Sequence, residues 1–200
     1  MDSEGATSAT LPNEGVSNMP MINGLNTENL LDIVEAVKKN WETGKTVWTA
    51  SARWLEGFKV ETESRGFKLK ADEPELLAGT NTAANPVELV LQAYGACLAI
   101  GYAMNAAVRG ITIHDLRIDV EGEIDLPGFL GLEPPENTHM DRLPGYKSVI
   151  ARVKIRADAD EKTLKELHSH VVRTSPVGVT ISRPVKIETE FETLRQLSAA

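Results

Sequence analysis

The segment that most constrains this chain is residues 85–110, which carries no formal charge between Leu89 and Val108. Asn85 can cap a helix that begins at Pro86, because proline lacks the N–H that a first-turn residue leaves unpaired. A helix that is apolar on nearly every face is either buried in a protein core or inserted in a membrane. No signal peptide or positively charged anchor precedes this one, so we predict a buried core helix over residues 86–109 and no membrane association.

The predicted helix contains the chain's only cysteine, Cys97. A single cysteine cannot form an intrachain disulfide, and a lone thiol without an export signal favours the cytoplasm. The net charge of −8 argues against a nucleic-acid partner. The histidines show no metal-binding spacing and there is no glycine-rich nucleotide motif, so we expect neither a metal nor a cofactor.

Hydrophobic patterning predicts a flexible N-terminal tail over residues 1–25 and a single domain over residues 26–200. The predicted elements are an N-terminal helix over 26–43 capped by Thr27, a β-meander over 46–71 beginning with the strand Thr46–Ala52, the buried helix over 86–109, a hairpin over 111–157 with a loop at 127–145, a helix over 160–173 and a strand over 185–191. This order is typical of an α+β domain in which antiparallel sheet packs against helices.

Three segments together resemble the OsmC/Ohr family of organic hydroperoxide reductases. They are NPVELVLQAYGAC, a hairpin containing PGFLGL and PGY, and RTSPVGVTISRPV, and the resemblance covers about residues 26–191. It implies antiparallel sheets wrapped around a buried central helix in an intertwined homodimer. It also implies two active sites at the subunit interface and a part in the oxidative stress response.

The resemblance assigns site residues, with two departures from the family pattern. Cys97 matches the peroxidatic cysteine, whereas Ser175 stands where the family has its resolving cysteine, so no intramolecular disulfide can form. The hairpin arginine of the family matches Arg53, with Arg65 as the alternative. The family glutamate falls on Val87, and the neighbouring Glu88 faces away from Cys97 on an ideal helix.

The function hypotheses follow from what could activate Cys97, because a thiol in apolar surroundings is inert unless a cation stabilises its thiolate. The first hypothesis is a one-cysteine thiol peroxidase that reduces an apolar organic hydroperoxide and is restored by an external thiol reductant. The alternative is a noncatalytic OsmC-like dimer that binds a small apolar ligand at the subunit interface. His139, in the 127–145 loop, could also reach a pocket.

Overall fold

The computed structural model describes residues 21–132 and 144–193. Residues 1–20 of the expected tail and His139 lie outside the described residues. The helices are α1 (Thr27–Lys39), α2 (Pro86–Val108), α3 (Leu126–Phe129), α4 (Glu161–Thr174) and α5 (Pro176–Ile181), with 3-10 turns at Trp41–Gly44 and Glu75–Leu77. The strands are β1 (Met21–Ile22), β2 (Leu25–Asn26), β3 (Ser51–Glu56), β4 (Lys59–Ser64), β5 (Phe67–Ala71), β6 (Ile113–Ile124) and β7 (Tyr146–Ala157).

The strands form antiparallel sheets, which confirms the predicted α+β class. β1 pairs with β2, β3–β4–β5 form a three-stranded meander, and β6 pairs with β7. In the β6–β7 hairpin Leu116 lies opposite Ile155 and Val120 lies opposite Ala151. Apolar residues thus share one face of this hairpin, as the period of a strand requires, and several of them pack against the core.

The core lies where α2, α4 and the β6–β7 hairpin meet. Its fully buried members include Leu98 and Tyr102 from α2 and Leu167 and Val171 from α4. α2 ends in a Schellman motif, in which Gly110, at φ 71°, donates to Ala107 and Ile111 donates to Ala106. The motif turns the chain directly from α2 towards β6.

Burial of α2 differs from the prediction, because within one chain only one face of the helix is covered. Leu98, Tyr102, Ala106 and Ala107 are buried, whereas Ile100 is 69% exposed and Met104 is 41% exposed. By length and composition α2 could also cross a membrane, a property it shares with core helices of soluble proteins. A helix apolar on all faces therefore has only part of its surface covered by its own chain.

The beginning of the described chain corrects two predictions. Residues 21–25, expected in the tail, belong to a β1–β2 hairpin whose turn residues Asn23 and Gly24 both have positive φ, of 54° and 74°. The Asn23 side chain accepts from Ile113 N–H at 2.8 Å and donates to Ile111 C=O at 3.0 Å, which ties the hairpin to the start of β6. The cap of α1 is Asn26 and not Thr27, since its side chain accepts from the next helical amides.

The meander begins later than predicted, at Ser51 instead of Thr46. Ser51 lies opposite Glu63, and β4 then ends at Ser64, so residues 46–50 have no strand beside them in this sheet. The meander carries large apolar side chains that are exposed in the single chain, among them Trp54 at 69% and Phe67 at 71%.

The C-terminal prediction of a strand over 185–191 is wrong for this chain. Although apolar and polar residues alternate there, the segment has no hydrogen-bonded neighbour among the described strands, and Ile187 and Phe191 are 84% and 90% exposed. α4 ends at Thr174, one residue beyond the predicted helix, and a short helix that was not predicted, α5, begins at Pro176. Serine as the cap followed by proline in the first turn is a helix start signal.

Candidate functional site

Cys97 and Ser175 are brought together from distant parts of the chain. Cys97 Sγ lies 3.2 Å from Ser175 Oγ, within hydrogen-bonding distance for sulfur. Cys97 is half-buried, and Ser175 is buried, with 4% of its surface exposed. The structure thus pairs the candidate nucleophile with the residue that stands at the family's resolving position.

The backbone around Ser175 fixes the direction of its side chain. Ser175 ends α4 and caps α5, and its Oγ accepts a hydrogen bond from Gly178 N–H at 3.1 Å. A Cβ added at Gly178 would lie 2.9 Å from the Tyr94 ring and 3.1 Å from Ser175 Oγ. Only glycine leaves room for Tyr94 and Ser175 to pack this closely.

Glu88 has a structural role that accounts for its side chain. It accepts from Asn85 N–H at 2.9 Å, while Asn85 accepts from Glu88 N–H at 2.9 Å, which together form a capping box at the start of α2. The carboxylate therefore points to the beginning of the helix and not to Cys97. Val87, at the family's glutamate position, contributes its carbonyl as the acceptor for Tyr146 OH at 2.8 Å.

Both candidate arginines lie in the meander and have other partners in the single chain. Arg53 Nη2 is 3.8 Å from Glu61 Oε1, and the Arg53 side chain is 75% exposed. Arg65 lies over the rings of Trp48 and Phe67, at 5.3 and 5.6 Å from their centroids. Within the described residues of one chain, Ser175 is the one hydrogen-bond partner of the Cys97 thiol.

A cavity of about 470 Å³ is lined in part by Tyr94 and Gly178, the residues that pack near Ser175, although neither Cys97 nor Ser175 lines it. Its lining is Val90, Tyr94, Tyr146, Lys147, Ser148, Val149, Gly178, Ile181 and Ser182. Burial, with a smaller contribution from Glu88, raises the pKa of Tyr146, and the Asp125 carboxylate at 3.0 Å raises the pKa of Lys147. The volume suits a small molecule, and the lining combines the apolar side chains of Val90, Val149 and Ile181 with tyrosine, serine and lysine side chains.

Two buried polar groups were missed by sequence reasoning, and both are structural. Tyr102, whose pKa burial raises to about 12, stays protonated, and its hydroxyl shares a hydrogen bond with His168 Nδ1 between α2 and α4. Asp72 is buried and accepts from Thr80 and Thr82 hydroxyls and from three backbone amides, which hold its pKa well below the usual range. No sequence signal marks either group, because each depends on contacts made only in the folded chain.

Metal binding has no support among the described residues, where no three His, Cys, Asp or Glu side chains come together. The candidate site consists of the Cys97 thiol and the buried Ser175 hydroxyl. Such a set can carry out nucleophilic thiol chemistry provided that the thiolate is stabilised.

Solved structures similar to this one share its fold. An OsmC-like protein from Mycoplasma pneumoniae has a TM-score of 0.57 and 19% identity, with 69% of this chain and 89% of that chain covered. An organic hydroperoxide resistance protein OsmC from Legionella pneumophila has a TM-score of 0.50 and 22% identity, covering 68% of this chain and 89% of its own. An OsmC-like protein of unknown function from Vibrio cholerae has a TM-score of 0.54 and 12% identity, covering 68% and 94%.

The sequence itself gives the family. No curated protein matches it. The family model described as OsmC-like protein matches residues 79–190, which is more than half of the chain and includes both Cys97 and Ser175. The chain therefore belongs to the OsmC-like family.

Proposed function

We propose that the protein reduces organic hydroperoxides through Cys97, with an external thiol as the reductant. The observation that carries the proposal is the position of Cys97, a half-buried thiol on α2 within hydrogen-bonding distance of Ser175, in a chain of the OsmC-like family. The name of the Legionella relative, an organic hydroperoxide resistance protein, supports the same substrate class. A thiol reductant is abundant in the cytoplasm, which is where we place the protein.

In the oxidative half-reaction the Cys97 thiolate attacks the outer oxygen of R–O–OH. The S–O bond forms as the O–O bond breaks, and the leaving alkoxide takes up a proton to give the alcohol. Sulfur loses two electrons and becomes a sulfenic acid. One thiol molecule then displaces water to form a mixed disulfide, and a second thiol releases the disulfide of the reductant and restores Cys97.

A homodimer would cover apolar surface that the single chain leaves exposed and would bring an arginine to Cys97. The exposed apolar residues of α2 and of the meander, together with the extended segment 185–191, offer surface that one chain leaves uncovered. In the arrangement that the family resemblance implies, the meander of one subunit covers the other and Arg53 lies beside the opposite Cys97. Arg53 would then stabilise the thiolate and position the peroxide.

The assembly is tested by sedimentation equilibrium at micromolar protein concentration. We expect twice the chain mass of 21.8 kDa, because so much apolar surface is costly to leave in water. As a control, Trp54→Lys and Phe67→Lys, which place charges on the exposed face of the meander, should weaken the dimer. A wild-type protein that sediments as a monomer would contradict the dimer and the delivery of Arg53.

The peroxidase activity is tested by single-turnover loss of cumene hydroperoxide on mixing with reduced protein. We expect about one peroxide consumed per chain, with Cys97→Ser showing only the background rate because it lacks the nucleophilic sulfur. Mass spectrometry of the wild type should show one added oxygen, trapped by dimedone as a sulfenic acid. Equally slow consumption by wild type and Cys97→Ser would refute the proposal.

A second candidate function is a noncatalytic dimer that binds a small apolar molecule. It is favoured by the contacts of Arg53 and Glu88 in one chain, where neither side chain contacts Cys97. Arg53 lies near Glu61, and Glu88 forms the capping box of α2. This function would leave Cys97 unreactive towards peroxide while an apolar ligand still raised the unfolding temperature.

A further inference from the structure

We propose that the Ser175 hydroxyl donates a hydrogen bond to the Cys97 sulfur, and that Ser175 is thereby a positioning residue which stabilises the thiolate and orients it for attack. This inference rests on the proposed peroxidase function and deepens it. It gives a role to the residue that occupies the resolving position without being a thiol.

The direction of the hydrogen bond follows from the other contact of the hydroxyl. Ser175 Oγ already accepts from Gly178 N–H at 3.1 Å, so one acceptor position of the oxygen is occupied. The hydroxyl proton still needs an acceptor, because a buried donor without a partner is costly. Among the described residues, the side chain that meets this need is Cys97, with Sγ at 3.2 Å.

The geometry holds this donor in place before a substrate arrives. Ser175 is buried, with 4% of the residue exposed, and its backbone joins two helices. Tyr94 packs against Gly178, the residue from whose N–H the hydroxyl oxygen accepts a hydrogen bond. A fixed donor aimed at a sulfur favours the anionic form, because hydrogen bonds to charged acceptors are the stronger ones.

In the reaction, the hydroxyl would hold the sulfur with one lone pair turned away from Ser175 and available to the peroxide. Once sulfur is oxidised, the same hydroxyl can donate to the sulfenic acid, but it cannot displace water to close a disulfide. Ser175 therefore neither loses nor gains electrons, and its proton stays on oxygen throughout.

The test measures the rate of Cys97 alkylation by iodoacetamide as a function of pH. Because Cys97 is the only cysteine, the total thiol signal reports this site alone. Ser175→Ala should react about tenfold more slowly at neutral pH, as expected for loss of one hydrogen bond to a charged acceptor, with the rate profile displaced to higher pH. Ser175→Thr keeps the hydroxyl and should restore the wild-type profile.

A further variant separates the donor role from capping of α5. Glycine at position 175 is an accepted helix cap, much better than alanine and comparable with threonine, but it has neither a hydroxyl nor a charge. We therefore expect Ser175→Gly to react as slowly as Ser175→Ala. A purely structural role predicts that Ser175→Gly stays close to wild type and that Ser175→Ala is slowest, and that order would overturn the proposal.

Ser169→Ala is the matched control. Ser169 lies on α4 and donates to Lys165 C=O at 2.9 Å, so the same chemical change is made away from Cys97 and should leave the profile unchanged. If Ser175→Ala does not fold, the comparison of Ser175→Thr with Ser175→Gly still decides, because both residues are accepted caps, neither is charged, and only threonine carries the donor. Equal profiles for these two variants would also overturn the proposal.

The alkylation assay uses no peroxide, so failure of this inference is distinguishable from failure of the proposed function. If the alkylation profile depends on Ser175 but the protein does not consume cumene hydroperoxide, the hydrogen bond is supported and the peroxidase function is refuted. If the protein consumes peroxide and the position-175 variants do so at the wild-type rate, the peroxidase function is supported and the role of Ser175 is refuted.

Discussion

Ser175→Cys is expected to form an intramolecular disulfide with Cys97 on addition of one equivalent of peroxide, whereas the wild type forms none. The new thiol would take the place of Ser175 Oγ, which lies 3.2 Å from Cys97 Sγ. A disulfide bond needs the two sulfurs about 2 Å apart, so a movement of about 1 Å closes it. The thiol would attack the sulfenic acid of Cys97 and release water, which completes a two-cysteine cycle.

The measurement is the intact mass of the chain together with a thiol count under denaturing conditions. The oxidised variant should have the mass of one chain less two hydrogens and should show no free thiol. A disulfide between two chains would instead double the mass. The matched control is Ser175→Cys in a Cys97→Ala background, which retains one thiol and cannot close an intramolecular bond. A stable sulfenic acid in the single variant, with the second thiol still free, would contradict the geometry of the pair.

Leu98→Ala is expected to cause a large loss of stability. Leu98 is fully buried and packs in the cluster that contains Tyr102, Leu167 and Val171. Removing its side chain leaves a cavity in the seam between the two helices, and such changes cost about 2–5 kcal/mol. That is a large part of the roughly 5–15 kcal/mol by which domains are usually stable.

Urea unfolding followed by circular dichroism measures this loss. Leu98→Met, which roughly conserves volume, should cost under about 1.5 kcal/mol and serves as the control. Ile100→Ala adds a comparison, because Ile100 is 69% exposed in one chain. If the protein is the dimer that we propose, Ile100→Ala should cost more than the roughly 0.5 kcal/mol of an ordinary surface change. A loss below about 1 kcal/mol for Leu98→Ala would contradict the described core.

Local signals predicted most elements, since they depend on residues close in sequence. The charge-free run and the Asn85–Pro86 start gave α2, and the Arg65–Gly66 turn separated β4 from β5. The strand over 185–191 failed for a different reason. Alternation of apolar and polar residues indicates that an extended segment would have one apolar and one polar face. It does not show that another strand lies beside the segment to pair with it.

The site was predictable in its members but not in its contacts. The order of motifs pointed to Cys97 and Ser175, whereas their hydrogen bond depends on how α5 follows α4, and α5 was not predicted. Likewise, an apolar composition indicates how much of α2 must be covered but not whether the same chain covers it. The meander arginines could not be placed beside Cys97 from sequence, because no local pattern fixes how a sheet docks.

Ser175 both ends α4 and caps α5. Its hydrogen bond to the thiol therefore depends on a helix that is only six residues long. A helix this short is not stable by itself and persists through its cap and its packing against α2. When α5 frays, the hydroxyl loses the amide that orients it and turns away from Cys97. Local unfolding of α5 would therefore remove the hydroxyl from the thiol while the core stays folded.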